Sequence, residues 1–333
     1  MKRLLQSTAV VVALSFASPV LAADKIRMLA PTWLGFAPVH VATDLGYFKA
    51  LDLEVDYKFE DDRANVMAAY ARGDIDVDMR TVGEHQGRPR DASTPGVIIA
   101  TIDQSVGGDG VIADDAVPSV AALKGKTVAA EPNIPARLLL QIELKKAGLT
   151  LKDLNLKDIA SADTAAVFAD GSIAAIATYE PFMSQAVKNS TRKGAKVLIS
   201  SADPAYRGII TDVITARQDD LKAHPDKYVR FLKGIYRAIE FAEKDPKKFA
   251  ELAAPHFGMT PAEVEEVLTG SLAYTALPEA AAYMGKPGAT GKLHEIFDTV
   301  MALNLENGAA DTKLVATQQI DNSVIAKVVE GGL

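Results

Sequence analysis

Apolar and polar positions set the element order before any composition is counted. "KIRMLA" (25–30) reads as a buried strand. "FAPVHVATDLGYF" then reads as a helix, with Pro38 in its first turn and Gly46 near its end. "LEVDYKF" (53–59) alternates as a strand does. In "EDDRANVMAAYARGD", Asp61 or Asp62 caps a helix with Val66, Met67 and Tyr70 on its apolar face and Gly73 as its stop. "DIDVDM" alternates strictly, with Ile75, Val77 and Met79 on one side. The opening segments therefore run β-α-β-α-β, which predicts a parallel sheet covered by helices.

The alternation continues. "GVIIATID" (96–103) and "DGVIAD" (109–114) read as strands around the Gly-rich connection "QSVGG". "SVAALKGKTVAAE" predicts a short helix, a break and a strand ending at Glu131. "IPARLLLQIELKKAGL" predicts an amphipathic helix, with Pro135 early and Gly148 after it. "DTAAVFADGSIAAIATYEPFMSQAV" reads as helix, turn, strand and helix, and "AKVLISS" as another strand. "GIITDVITARQDDL" (208–221) reads as an apolar strand interrupted by Thr211 and Asp212. Beyond it the period changes. Tyr228, Phe231, Leu232, Ile235 and Ile239 share one helical face. Asp245-Pro246 and Thr260-Pro261 each read as an N-cap followed by the first helical residue, so the C-terminal hundred residues are expected to be mostly helix.

Composition narrows the class. The chain has 333 residues, 48% of them hydrophobic and 24% charged, with no internal repeat. That suits a globular protein of two lobes rather than a solenoid or a disordered chain. "MKRLLQSTAVVVALSFASPVLAADK" carries Lys2 and Arg3, an apolar stretch and the small-x-Ala pattern Val20-Leu21-Ala22. This predicts a signal peptide over residues 1–22, cleaved between Ala22 and Ala23. Gln6, Ser7, Thr8, Ser15, Ser18 and Pro19 interrupt the stretch and argue against a membrane anchor. There is no Cys, which excludes disulfides, thiolate metal sites, a Cys nucleophile and a lipoprotein lipobox. An exported Cys-free chain points to a bacterial periplasm. Loss of the two positive charges Lys2 and Arg3 takes the net charge from −7 to −9, a poor balance for nucleic acid. His40, His85, His224, His256 and His294 show no metal-ligand spacing, and neither G-x-S-x-G nor a P-loop is present. No enzyme, metal or cofactor is expected.

The segments "PTWLGFAPVHVATDLGYFKALDLEV", "ARGDIDVDM", "IDQSVGGDGVIA", "LKGKTVAAE", "LLLQIELKKAGL", "ATYEPFMSQAV" and "RGIITDVITARQDDL" follow in order. Together they resemble the periplasmic solute-binding proteins of ABC importers, in the nitrate/sulfonate/taurine branch with the NMT1/THI5-like domain. The resemblance covers essentially the whole mature chain. It implies an α/β, two-lobed periplasmic binding protein fold (type II-like), with mixed sheets flanked by helices and a ligand cleft between the lobes. Lobe one would be about 24–105 plus 212–333, and lobe two about 106–211. The implied partners are a small-molecule ligand and a permease in the inner membrane, with the binding protein a monomer. The THI5-like branch also includes pyrimidine synthases that use iron and a cysteine-rich stretch, which a chain without Cys does not match.

Ligands of open α/β sheets bind beyond the carboxyl ends of the strands, here facing the cleft. Trp33, the only Trp, lies just past the first strand and is placed to stack on a planar or cationic group, with Phe36 beside it. Arg80 and Thr81 end the "DIDVDM" strand; Arg80 either grips an acidic ligand or pairs with Asp76, Asp78 or Glu84. Ser105 and Asp109 lie in the "DQSVGGDG" crossing, either in the cleft or capping local amides. Glu131 and Asn133 precede the Pro135 helix, as cleft residues or as its caps. Tyr179 and Glu180 follow the next strand, Tyr179 as a second stacking ring and Glu180 as a ligand contact or a cap. Asp212 interrupts an apolar strand, so its carboxylate needs a partner. Asp109, Glu131, Glu180 and Asp212 outnumber Arg80, which favours a ligand with positive charge or N–H donors. A taurine-like zwitterion can use both signs, and a simple anion such as nitrate fits least.

Overall fold

Eleven strands and the helices between them form two sheets in a computed structural model that describes residues 23–87 and 96–333. The signal-peptide segment, and all but the ends of "GRPRDASTPG", read in the sequence as a solvated loop, lie outside the described residues. The first sheet takes β1 (Asp24–Ala30), β2 (Leu53–Phe59), β3 (Val77–Thr81) and β4 (Gly96–Ser105). The second takes β5 (Asp109–Ala113), β6 (Thr127–Ala130), β7 (Asn155–Lys157), β8 (Ala175–Tyr179) and β9 (Lys196–Ser200). β10 (Thr211–Arg217) and β11 (Leu272–Tyr274) return to the first. The orders are β11-β4-β10-β3-β1-β2 and β7-β6-β8-β5-β9. The chain thus crosses between sheets twice, after β4 and after β9. β1 pairs parallel with β2 and β3, while β10 runs antiparallel between β3 and β4, so the sheet is mixed.

Three segments differ from the sequence reading. β3 starts at Val77 rather than Asp74, because the Asp76 carboxylate accepts from the backbone N–H of Arg27 (2.9 Å) and from its guanidinium (2.8 Å). "RTVGEH" does not continue as a polar strand end; Val82–Gln86 is a short helix. Thr81 and Glu84 close a reciprocal capping box on it, satisfying two N–H groups that the helix leaves free. "GIITDVITARQDDL" is a strand only to Arg217. Asp219 and Asp220 then occupy the first turn of a helix, Gln218–Ala223, where negative charge is favoured.

The long helix Pro225–Lys244 buries the predicted face, with Tyr228, Phe231, Leu232, Ile235 and Ile239 all in the first sheet's core. The second sheet has its own core around Val111, Val128, Leu139, Leu140 and Ala177. β3 is buried along its whole length, Asp78 and Arg80 included. Charged side chains on a fully covered strand need internal partners, and those partners locate the site.

Candidate functional site

Asp212, the second residue of β10, lies opposite Asp103 of β4 on one side and Thr81 of β3 on the other. Directly opposed residues bring their side chains to roughly 5 Å. Asp103 and Asp212 are 0% and 4% exposed, so two carboxyls share one dry position. Like charges so placed cannot both ionise cheaply. Burial first, then the Asp103 charge, holds the Asp212 carboxyl well above the usual carboxylate range. Asp103 is pushed up to about 7 by burial, opposed by hydrogen bonds from Asp212 and Trp33. Asp109, the first residue of β5, is likewise pushed up to about 7 by burial, opposed by its bond to Ser105.

Trp33 is set into the same wall. Its indole Nε1 donates to Asp103 Oδ1 at 3.2 Å. Two glycines make room: a Cβ on Gly35 would stand 2.1 Å from Asp103 Oδ2 and 2.2 Å from Trp33 Nε1, and one on Gly108 would stand 2.4 Å from the indole edge. Gly35→Ala is therefore expected to displace the Trp33–Asp103 pair. Overpacking of this kind costs about 1–3 kcal/mol. Chemical denaturation should show that loss together with loss of ligand binding, and full retention of both would disprove the contact.

Across from Trp33, Tyr179 at the end of β8 presents its ring edge-on, with centroids 6.4 Å apart and planes at 85°. These two rings, Pro31, Phe36, Pro135, Thr81, Glu84, Asp109 and Asp212 enclose a cavity of about 30 Å³. That is room for about one water molecule. The cavity joins the two sheets' strand ends, with aromatic rings on its walls and three carboxyl groups among them. A second cavity of about 280 Å³ shares Thr81 and Pro135 with it and runs along the seam, lined by Asn133, Arg137, Ile210 and Asn304.

The other sequence candidates have structural partners. Arg80 is buried with its guanidinium 3.2 Å from Glu84 and 3.7 Å from Asp78, and it donates to the Glu60 carbonyl. Thr81 lines the cavity, but its hydroxyl is engaged with Glu84 at 2.8 Å. Ser105 meets Ser201 at 2.9 Å where the chain crosses between sheets. Glu131 accepts from the Ser161 N–H and hydroxyl at 3.1 and 2.8 Å, so it caps a neighbouring turn rather than the Pro135 helix. Asn133 sits at positive φ (66°), and Ile134 rather than Asn133 occupies the N-cap position. Glu180 accepts from the Ser184 N–H and hydroxyl at 3.1 and 2.8 Å, capping the helix Phe182–Asn189. The structure thus brings together Trp33, Phe36, Thr81, Asp109, Tyr179 and Asp212. Glu84 and Asp103 join them without having been singled out as site residues. For Asp103 the available signal was an acid closing the segment "GVIIATID", which is apolar but for Thr101.

Opposite this wall the seam is bridged by polar contacts. Gln141 on the helix Pro135–Lys146 donates to the Leu303 carbonyl at 3.2 Å and accepts from Asn307. Lys145 pairs with Glu306 at 2.8 Å.

Residues 33–249, more than half of the chain, match the family described as NMT1/THI5 like. A relative from Brucella abortus (strain 2308), named a putative binding protein, is 24% identical over 257 residues, covering 76% of this chain and 78% of the relative. Solved structures share the fold. The alkanesulfonate-binding protein SsuA from Xanthomonas axonopodis pv. citri, bound to MOPS, superposes with TM-score 0.74 at 15% identity, covering 90% of this chain and 99% of that one. The periplasmic nitrate-binding protein NrtA from Synechocystis PCC 6803 gives 0.73 at 12% identity, covering 93% and 89%. The desulfurization enzyme DSZB gives 0.64 at 15%, covering 92% and 99%. The two-lobed α/β architecture is common to all of them.

Proposed function

The chain belongs to the NMT1/THI5-like family, and from that premise we propose that it is an exported solute-binding protein for a small nitrogen-containing cation or N–H-rich molecule, which it delivers to an ABC transporter permease. One observation carries the ligand class. The cavity presents Glu84, Asp109 and Asp212 among aromatic rings, while the nearby cation, Arg80, is already paired with Glu84 and Asp78. Buried carboxyls need donors, and aromatic faces attract cations.

Capture works by lobe closure. Trp33, Phe36 and Asp212 come from the first sheet's side, Asp109 and Tyr179 from the second's. A ligand touching both favours the closed arrangement and shifts the hinge equilibrium. The crossing segments around Ser105–Asp109 and before Thr211 act as the hinge, with lobe one taken as 24–105 plus 212–333 and lobe two as 106–211. The neighbours described as periplasmic support export. A binder rather than a catalyst is favoured because the chain lacks Cys and the one hydroxyl on the cavity wall outside the aromatic rings, that of Thr81, is tied to Glu84.

The seam contacts should tune affinity without touching ligand. Gln141→Ala is expected to raise Kd by about 3- to 10-fold, the worth of roughly one hydrogen bond. Glu306→Ala removes an exposed ion pair worth at most about 1 kcal/mol. Titration of both variants checks this, and an unchanged Kd for Gln141→Ala would remove the seam from the closing mechanism.

The ligand class is tested by thermal shift of the mature chain against amines, amidines, ureido compounds, aminopyrimidines, taurine, alkanesulfonates and nitrate. Stabilisation by nitrogenous cations or N–H-rich heterocycles is expected. Stabilisation by sulfonates or nitrate alone would make the carboxyls structural.

A further inference from the structure

We propose that the empty pocket holds a proton between Asp103 and Asp212, and that a cationic ligand displaces it, so that each capture releases a proton to solvent. This rests on the cation reading above and adds a titratable partner to it. The geometry comes from the sheet register: two buried carboxyls directly opposed across β4 and β10.

Most of the surrounding donors are engaged, although the buried Arg80 Nε and the Thr101 and Thr275 hydroxyls have no hydrogen-bond partner among the described residues. Trp33 gives its only N–H to Asp103 Oδ1. Arg80 is held by Glu84, Asp78 and the Glu60 carbonyl. Thr81 is tied to Glu84, Ser105 is against Ser201, and Tyr274 on β11 donates to the Leu34 carbonyl. Asp103 Oδ2, fully buried, is left with no protein donor unless Asp212 carries a proton and donates it. Among the described residues, the charged and titratable groups facing the pair are Glu84 from beyond β3, Asp109 from β5 and Tyr274 from β11, with Arg80 as the counter-charge of Glu84. Tyr179 and Glu180 of the second sheet's side face Arg80 and Asp109. The field at the pair is therefore acidic, and burial raises both carboxyls towards protonation.

When a cation settles against Asp212 and Asp109, the positive charge that the proton supplied comes from the ligand instead. The Asp212 O–H bond breaks, its electron pair stays on the carboxylate, and the proton goes to buffer. By linkage, affinity then rises about tenfold per pH unit while the free pair is protonated, and levels off above its titration.

The test titrates guanidinium and methylammonium into the ligand-free mature chain by calorimetry, in buffers of different ionisation enthalpy at pH 6 to 9. The expected result is release of about one proton per cation bound at pH 6, falling towards zero at high pH, and no release for Asp212→Asn. Infrared spectroscopy of the ligand-free protein gives a second reading. A protonated-carboxyl stretch should be present at pH 6 in the wild type and reduced in Asp212→Asn, which keeps the shape and a donor for Asp103. Absence of that band refutes the stored proton whether or not cations bind. Cation binding with no buffer dependence overturns the exchange and leaves the cation reading intact. Failure of both cations to bind while the band is present overturns the cation reading and the exchange with it.

Discussion

Asp212→Asn weakens binding of a cationic ligand by about 100-fold or more while leaving the protein folded. Asparagine keeps the volume and can donate to Asp103 as a protonated Asp212 does, so the cross-strand contact survives. What is lost is the charge. Truncating one partner of a buried, charge-assisted contact costs about 2–5 kcal/mol, and about 3 kcal/mol is two orders of magnitude in Kd. Asp109→Asn follows the same logic from the opposite sheet. Calorimetric or fluorescence titration of the variant decides it. An unchanged Kd in Asp212→Asn would remove this carboxyl from the ligand contacts.

The second large effect is on the stability of the ligand-free protein. Burial pushes the Asp103 and Asp109 carboxyls up to about 7 in the fold, against about 4 for an exposed Asp, and shifts Asp212 the same way. A raised carboxyl binds its proton more tightly in the native state. Its contribution is fully present below about pH 4 and is lost as pH rises to about 7. His40 works against this. Stacked between Tyr57 and His256 at 4.4 and 4.2 Å, it is pushed down to about 4 by burial, so its contribution is present above pH 6.5 and lost as pH falls. The carboxyls outnumber it, and the wild type should lose on the order of a few kcal/mol between pH 4 and 7. Asp212→Asn removes one of those titrations. It should melt on the order of 5 °C above the wild type at pH 8 and close to it at pH 5. Scanning calorimetry without ligand measures this. A variant less stable than the wild type at pH 8 would mean that Asp212 is ionised and stabilising there. If the expected gain is found, the residue proposed to matter most for binding is also one whose replacement stabilises the ligand-free protein, a cost that functional sites often carry.

Much of this organisation is readable from local pattern. Alternation in "LEVDYKF" marks a strand with unlike faces, the continuous apolar run in "GVIIATID" marks one buried on both, and the 3.6-residue period from Tyr228 to Ile239 marks a helix with one buried face. The short edge strands Asn155–Lys157 and Leu272–Tyr274 escape, since three residues carry too little period. Residues of the candidate site were legible where they interrupt an apolar pattern. Asp212 stands inside an apolar strand, and Trp33 past the end of one. The partners of those residues were not legible, because they come from register across the sheet. Nothing in the sequence puts Asp103 opposite Asp212. For Arg80 the sequence offers pairing with Asp78 or Glu84 beside a ligand contact, and the structure decides for the pairing. Trp33 also proved less free than a stacking plate on a loop. Buried, bonded to Asp103 and fitted against Gly35 and Gly108, it lines the pocket and anchors it as well. Trp33→Ala would cost about 3–5 kcal/mol of packing, so a loss of binding in that variant does not by itself report a ligand contact.

Trp33 nevertheless offers the most direct test, because it is the only Trp in the chain and lies in the pocket wall. Its emission should respond to what enters that cavity. The measurement is a fluorescence titration of the mature protein with amines, amidines and aminopyrimidines on one side, and alkanesulfonates and nitrate on the other. A saturable change with a nitrogenous cation or N–H-rich compound, lost in Asp212→Asn, is the predicted result. A saturable change with sulfonate or nitrate, preserved in Asp212→Asn and absent with every nitrogenous compound, would contradict the account.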